Sequence, residues 1–425
     1  MKPRFPGARS IGLLMAVLCA GALAVCGVLL LGGRNRATLE VRVSGNELVN
    51  ANGQQVVLHG VDRSGGEFAC VQDLGIWTGL MNQASVTAMK KWKVNAVRVP
   101  LNEACWNGLS YVPAKYRGMR YRRAIEAYVQ LLNRDGLAAI LDLHWTQGVY
   151  TGPTSHCASA EAVCQKPMPD AAQAIPFWTS VARTFRGDDA VIFDLFNEPY
   201  PELAVGSSEA AGWRCWLRGG DLCSGISYKV AGMQALVNAV RSVGANNVIM
   251  LGGLGYANDL SQWLKYEPTD PDHNLVASWH SYNWNGCSNR SCWDSQIAPV
   301  IAKVPVIAGE IGEKGCADTY IDRLMKWLDA RSTSYLAWAW NTGFTCSGRG
   351  LIKSYDGEPT AYGAGYRSHL RSLNSGHTPL ELSAKYLYRS YSPQSPQNLQ
   401  IRRWTGPMLY RVRQKTWKKI LLRKV

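Results

Sequence analysis

The stretch VIFDLFNEPY, residues 191–200, sets five apolar residues and one Asp in six positions and then breaks into Asn197-Glu198-Pro199. A short apolar run rich in β-branched and aromatic residues reads as a strand buried on both faces, as in parallel sheets. Pro199 fixes φ and removes a donor, so the ladder ends there and the chain turns away. The strand thus delivers an amide and a carboxylate at its C-terminal tip. Seven further runs have the same character: QVVLHGVDRS (55–64), AVRVPL (96–101), LAAILDLHW (137–145), VIMLGGLG (248–255), LVASWHSY (275–282), PVIAGEIG (305–312) and SYLAWAWNT (334–342). Between them lie helical patterns at 85–92, 121–136, 232–244 and 318–330, with a last one at 363–373. Eight strands alternating with helices is the pattern of a closed parallel (β/α)8 barrel. An open doubly wound sheet would carry a Gly-rich turn opening a helix after the first strand, and that turn is missing.

The net charge of +15 is confined to the ends of the chain. Residues 1–37 carry Lys2, Arg4, Arg9, Arg34 and Arg36 with no acid, and residues 376–425 carry eleven Lys and Arg against Glu381 alone. The body, 38–375, balances 30 basic against 30 acidic residues, which argues against a nucleic-acid binder. Residues 11–33 are uncharged and mostly apolar, longer than the h-region of a cleaved signal, and favour a membrane anchor. Ala20-Gly21-Ala22 leaves a cleaved signal segment as the alternative. The expected organisation is an anchor or signal over 1–37, a catalytic barrel over 38–375 and a basic tail over 376–425, in which SYSPQSPQNLQ reads as a linker.

Ten of the twelve cysteines lie outside the apolar segment, several close together in sequence, which suggests disulfide staples and an extracytoplasmic setting. The expected pairs are Cys70–Cys105, Cys157–Cys164, Cys215–Cys223, Cys287–Cys292 and Cys316–Cys346. None has the Cys-x-x-Cys spacing of a zinc site.

Seven strands end in side chains unusual at a buried strand terminus: Arg63 or Ser64, Arg98, His144-Trp145, Asn197-Glu198, His280 with Tyr282, Glu310, and Trp340-Asn341. In a barrel these ends converge on one face. Glu198 on the fourth strand and Glu310 on the seventh would then face each other across the mouth. Hydrolysis of a glycosidic bond needs such a pair, one carboxylic acid to protonate the leaving oxygen and one carboxylate to attack or to activate water. Arg98 beside Glu310 would keep it ionised, and the charge of Glu310 would raise the pKa of Glu198. Glu313 is the rival nucleophile, expected to be a solvated loop acid.

The set LFNEP, VIAGEIG, NAVRVPL, LDLHW, WHSY and YLAWAWN resembles glycoside hydrolase family 5, the cellulase-like retaining (β/α)8 enzymes, over roughly residues 40–375. The resemblance implies Glu198 as acid/base and Glu310 as nucleophile. It further implies that Arg98 and Tyr282 bond the nucleophile, that Asn197 binds the sugar 2-hydroxyl, that His144 and His280 line the catalytic subsite, and that Trp340 is the sugar platform. Family members commonly have a non-proline cis peptide there, expected here at Trp340–Asn341. No cofactor and no metal is implied.

Sixteen Trp and nineteen Tyr suit a groove that stacks on pyranose faces, with Trp145 and Trp284 as further platforms and Trp106 and Trp293 beside the top-face loops. The expected substrate is a β-linked polysaccharide or oligosaccharide, β-1,4-glucan first, with mannan, other β-glycans or glycolipids as alternatives, cleaved by a monomer. Two readings of other classes stand beside it. One is an inactive glycan-binding barrel, the other a metal-dependent hydrolase using His144 and His280.

Overall fold

The computed structural model describes residues 39–155, 158–206 and 208–373. The expected anchor or signal segment, the basic tail and Cys157 lie outside them. Among the described residues no helix is long and apolar enough to cross a membrane.

A short antiparallel hairpin, β1 (Arg42–Ser44) and β2 (Glu47–Val49), precedes eight parallel strands. These are β3 (His59–Asp62), β4 (Ala96–Asn102), β5 (Ala138–Trp145), β6 (Val191–Asp194), β7 (Ile249–Gly252), β8 (Leu275–Tyr282), β9 (Val306–Gly312) and β10 (Ser334–Ala337). They pair in chain order and β10 closes on β3, giving the expected (β/α)8 barrel. Seven of the eight strands fall within the apolar runs, and β4 runs one residue past its own, to Asn102. Helices Gln83–Lys91, Met119–Arg134, Met233–Arg241, Thr319–Asp329 and Ala361–Leu373 match the five helical patterns. Ala174–Phe185 was not anticipated. The alternation is imperfect after β7, where only the short turns Leu254–Ala257 and Trp263–Lys265 replace a full helix.

Alternate residues of each strand point into the barrel or out to the helices, because side chains reverse face at every step. The outward set, such as Val97, Val99 and Leu101 of β4 with Leu141 and Leu143 of β5, packs with the helices in the larger core. The inward set is layered. At the strand starts Ala96, Ala138, Ile140, Ile192, Met250, Val276, Ile307 and Leu336 form a second apolar cluster, joined by Val41 and Leu48 from the hairpin region. One step further along the strands, the inward residues turn polar: Asp62, Arg98, Asp142, Asp194 and Ser278, all fully buried. The apolar layer is a floor that excludes water from beneath the polar one.

Four of the five expected disulfides are present: Cys70–Cys105, Cys215–Cys223, Cys287–Cys292 and Cys316–Cys346. The first joins the loops after β3 and β4, the last the loops after β9 and β10. The pair Cys157–Cys164 cannot be placed, since Cys157 is outside the described residues.

Candidate active site

Arg98, inward on β4, organises the polar layer. Its Nε donates to Asp194 at 2.9 Å, its Nη1 to Asp62 at 3.1 Å and to Glu310 at 2.7 Å, and its Nη2 to Asn197 Oδ1 at 2.8 Å. Asp142 lies 3.1 Å from Nη2. Four carboxyl groups thus share one fixed guanidinium. Burial opposes its charge, but the four acids outweigh burial and raise its pKa further. Burial also pushes Asp62 upward and Asp194 to about 8, against the pull of Arg98. With those two tending to hold protons, the charge of Arg98 is left chiefly to Asp142 and Glu310.

Glu310 of β9 is held on both oxygens, by Arg98 on Oε1 and by the Tyr282 hydroxyl, which donates to Oε2 at 2.5 Å. Glu198 follows β6 and has a different setting. Its side chain is 23% exposed to the cleft. Burial of its surroundings pushes its pKa to about 7, although the cations His144, Arg98 and Arg349 pull it down. The expected cause, the charge of Glu310, is not among the leading influences. Glu198 is thus raised as a proton donor should be, and desolvation is the cause.

His280 Nδ1 stands between them, 3.1 Å from Glu198 Oε1 and 3.8 Å from Glu310 Oε2. Burial lowers its pKa to about 4, so the ring is neutral. One ligand atom from each of these three residues lies within 4.8 Å of the other two, a set that could bind a cation. Against that, the Arg98 guanidinium already occupies Glu310 Oε1, and a second cation there would be repelled. His144, the last residue but one of β5, has its Nδ1 2.6 Å from Asp142. Burial alone would lower its pKa, but Asp142, helped by Glu67 and Glu310, raises it to about 9 and makes the ring an imidazolium. Asn197 accepts from Arg98 and donates to Gln165 Oε1 at 3.1 Å.

The structure therefore brings Arg98, His144, Asn197, Glu198, His280, Tyr282 and Glu310 together. It corrects three expectations. Trp340 is fully buried, with its indole N–H on Ser85 Oγ at 3.1 Å and its ring edge-on to Trp92 at 4.9 Å, so it cannot underlie a sugar. Trp338 is the tryptophan at the mouth, stacked on His144 with ring centroids 5.6 Å apart, and the cis peptide is Trp338–Ala339. β10 ends at Ala337, and beyond it the alternation of faces no longer holds. Glu313 is buried, not solvated: one of its carboxyl oxygens accepts from the N–H groups of Tyr320 at 2.7 Å and Ile321 at 3.1 Å, capping the helix Thr319–Asp329.

Of the other tryptophans, Trp145 is half-buried, Trp284 is 47% exposed and stacked on Tyr282, and Trp106 and Trp293 are core. Sequence reasoning missed Asp62, Asp142, Asp194, Gln165, Trp338 and Arg349. Gln165 comes from the long loop after β5, where its side chain also donates to the Glu198 carbonyl at 3.0 Å.

Comparison with known proteins bears on the fold and the family. The family model described as Cellulase (glycosyl hydrolase family 5) matches residues 49–343. A mannan endo-1,4-β-mannosidase of Salipaludibacillus agaradhaerens is 20% identical over 314 residues, covering 71% of this chain and 82% of that one. A β-glucanase from Saccharophagus degradans, solved also with cellotetraose, superposes with a TM-score of 0.59 at 18% identity, over 79% of this chain and 93% of its own. The catalytic domain of a mannanase from Streptomyces sp. SirexAA-E does so with a TM-score of 0.54 at 21% identity, over 78% and 90%. With a family model matched from the end of the hairpin to past Trp338, this chain belongs to glycosyl hydrolase family 5 and is a glycoside hydrolase.

Proposed function

We propose that the protein is a retaining endo-hydrolase of β-1,4-linked glycans, acting extracytoplasmically, with Glu310 as nucleophile and Glu198 as acid/base. The observation that carries this reading is the asymmetric pair: carboxyl oxygens of Glu198 and Glu310 within 4.8 Å, one carboxylate clamped by a guanidinium and a phenol, the other protonated near neutrality. Retaining enzymes hold their carboxyl groups about 5–5.5 Å apart, whereas inverting ones leave at least about 6.5 Å for a water. In the first step Glu310 attacks the anomeric carbon while Glu198 gives its proton to the departing oxygen. In the second step Glu198 takes a proton from water, which displaces Glu310 with a second inversion. Neutral His280 can hydrogen-bond Glu198 in either state without adding charge. Trp338 and exposed Trp284 offer flat faces to pyranose rings.

Glucan is proposed ahead of mannan, and the resemblance to a mannanase keeps mannan as the second reading. The four disulfides support the extracytoplasmic setting. The experiment is turnover of Glu198→Gln and Glu310→Gln on glucan, mannan and activated aryl β-glycosides. Both variants should lose at least about 10³-fold on polymers. Glu198→Gln should keep the first step on aryl substrates, whose leaving groups need little protonation, and Glu310→Gln should not. Equal loss on aryl substrates would refute the assignment of roles, an inverted first product by NMR would refute double displacement, and inhibition by EDTA would favour a metal at Glu198, His280 and Glu310.

A further inference from the structure

Arg349 lies in the loop after β10, at the rim of the cleft. The loop is fixed in several ways: the 3-10 turn Cys346–Gly348 precedes it, Cys346 is bonded to Cys316 of the loop after β9, and the Arg349 backbone carbonyl accepts from Ala339 N–H at 2.8 Å. That last bond sets Arg349 beside the strand end that carries Trp338. Its φ of 70° is left-handed, which a non-glycine residue seldom adopts. Gly312 at the end of β9 makes room for the Tyr282 ring, which a Cβ there would meet at 2.5 Å, and the Arg349 Cδ lies at contact distance, 3.4 Å, from the same point.

The guanidinium has no ion-pair partner among the described residues, although its charge is felt at Glu198. Among the described residues no carboxylate lies within ion-pair distance of it and no side-chain hydrogen bond leaves it, and its Nε is buried without a partner. Its carbon lies 5.0 Å from the Trp284 ring centroid and 5.5 Å from that of Tyr282, while the two rings stack 4.5 Å apart. Both contacts are cation-π contacts, which attract the charge but leave the N–H donors of the guanidinium without an acceptor. Lys314, exposed and also without an ion-pair partner among the described residues, follows in the loop after β9, its N–H on Asn283. The body of the chain is charge-balanced, so these cations are a local feature and not a share of a general excess.

A site for wholly neutral sugars gains little from an unpaired guanidinium, whereas a carboxylate matches its planar fork. We infer that Arg349 is a specificity residue that binds the carboxylate of a uronic acid, so that the preferred substrate is an acidic β-glycan with a charged unit next to the bond that is cleaved. The sugar against Trp284 is the one placed to carry it, since Tyr282 links that ring directly to Glu310. The inference rests on the proposed glycan hydrolysis for its substrate class.

The test uses the full-length chain with Glu198→Gln to prevent turnover. Calorimetry measures the binding of five β-1,4-glucan tetrasaccharides, one neutral and four with a single C6 carboxylate at successive positions. One acidic isomer should bind about 10-fold or more tightly than the neutral one, and less so as salt rises. Adding Arg349→Gln should abolish that preference and leave the neutral affinity within about twofold, while Arg349→Lys, which keeps the charge if the glutamine variant misfolds, should retain part of it. The inference is overturned if no acidic isomer is preferred, if none of the five binds, or if the preference survives Arg349→Gln. Cleavage of the same five by the unmutated chain is followed in parallel. An acidic preference in binding with every compound left intact would sink the proposed β-1,4-glycan hydrolysis and keep Arg349 as the carboxylate-binding residue, and cleavage without any preference would do the reverse.

Discussion

Asp194 and Asp142 both touch Arg98, yet their substitution should have different consequences. Asp194, pushed by burial to about 8, is mainly protonated at pH 6, so Asp194→Asn exchanges one neutral acceptor for another. Its kcat/KM at pH 6 should stay within about threefold of the parent. Asp142→Asn removes the charge that keeps His144 protonated up to about pH 9 and strips a partner from Arg98. Losing a charged hydrogen bond of this kind costs about 1.5–3 kcal/mol, so a 10- to 100-fold loss is expected, and NMR titration of His144 should show its pKa falling. A comparable loss in Asp194→Asn would mean that Asp194 is ionised. The same reasoning fixes the alkaline limb of activity. An acid with a pKa of about 7 must be protonated to work, so kcat/KM on oligosaccharides should fall tenfold per pH unit above that value. Aryl substrates that need no proton should lack the limb, and an oligosaccharide profile flat to pH 9 would exclude Glu198 as the acid. The strand-end residues were legible because an Arg, a His or a Glu ending an apolar run has few structural explanations. The three buried aspartates carried a signal too. Asp62, Asp142 and Asp194 each break an apolar run, and buried acids of this kind need either a cation or a proton and a hydrogen-bond partner, both of which point to a shared partner such as Arg98.

At the scale of elements, the helix Thr319–Asp329 shows what a residue pattern hides. Its periodicity predicts the helix and its buried face, Ile321, Leu324, Met325 and Leu328. The cap is not at the helix start. Asp318, the residue at the N-cap, makes no side-chain capping bond, and Glu313 reaches the first turn from the end of β9 instead. Five intervening residues and a loop geometry unknown to the sequence separate the two, so the capping acid looked like a solvated one. Glu313→Ala frees two N–H groups and removes a carboxylate from the positive end of a helix, which should cost about 1–2 kcal/mol in urea unfolding. Glu313→Gln keeps an accepting oxygen and should cost less, with turnover unchanged. Loss of turnover in the glutamine variant would return Glu313 to the list of nucleophiles. The exchange of Trp340 for Trp338 has a similar origin. Both belong to one alternating run, and only the backbone shows that β10 has ended between Ala337 and Trp338, after which Trp340 N–H bonds to the Asp62 carbonyl and its ring turns into the core.

Across the whole molecule, the barrel and its rim are held by different means. The strands close on one another and need no staple, with an apolar floor below and helices outside. The rim loops that carry Arg349 and adjoin the cleft have no such ladder, and disulfides cross-link them instead. Cys70–Cys105 and Cys316–Cys346 span 35 and 30 residues, whereas Cys215–Cys223 and Cys287–Cys292 span 8 and 5. If the cross-links act by restricting the unfolded chain, the long pairs stabilise by about 3.7 kcal/mol each and the short ones by about 2.3. Replacing both cysteines of a long pair by alanine should therefore lower the unfolding midpoint about one and a half times as far as replacing a short pair. The two long pairs should also differ from each other. Cys316–Cys346 fixes the turn that precedes Arg349, so its loss should weaken binding of an acidic tetrasaccharide as Arg349→Gln does, and Cys70–Cys105, on the opposite side of β3, should leave that binding intact while stability falls. Equal binding losses in the two variants would mean that the rim moves as one unit and that the bond to Cys316 has no special part in holding Arg349.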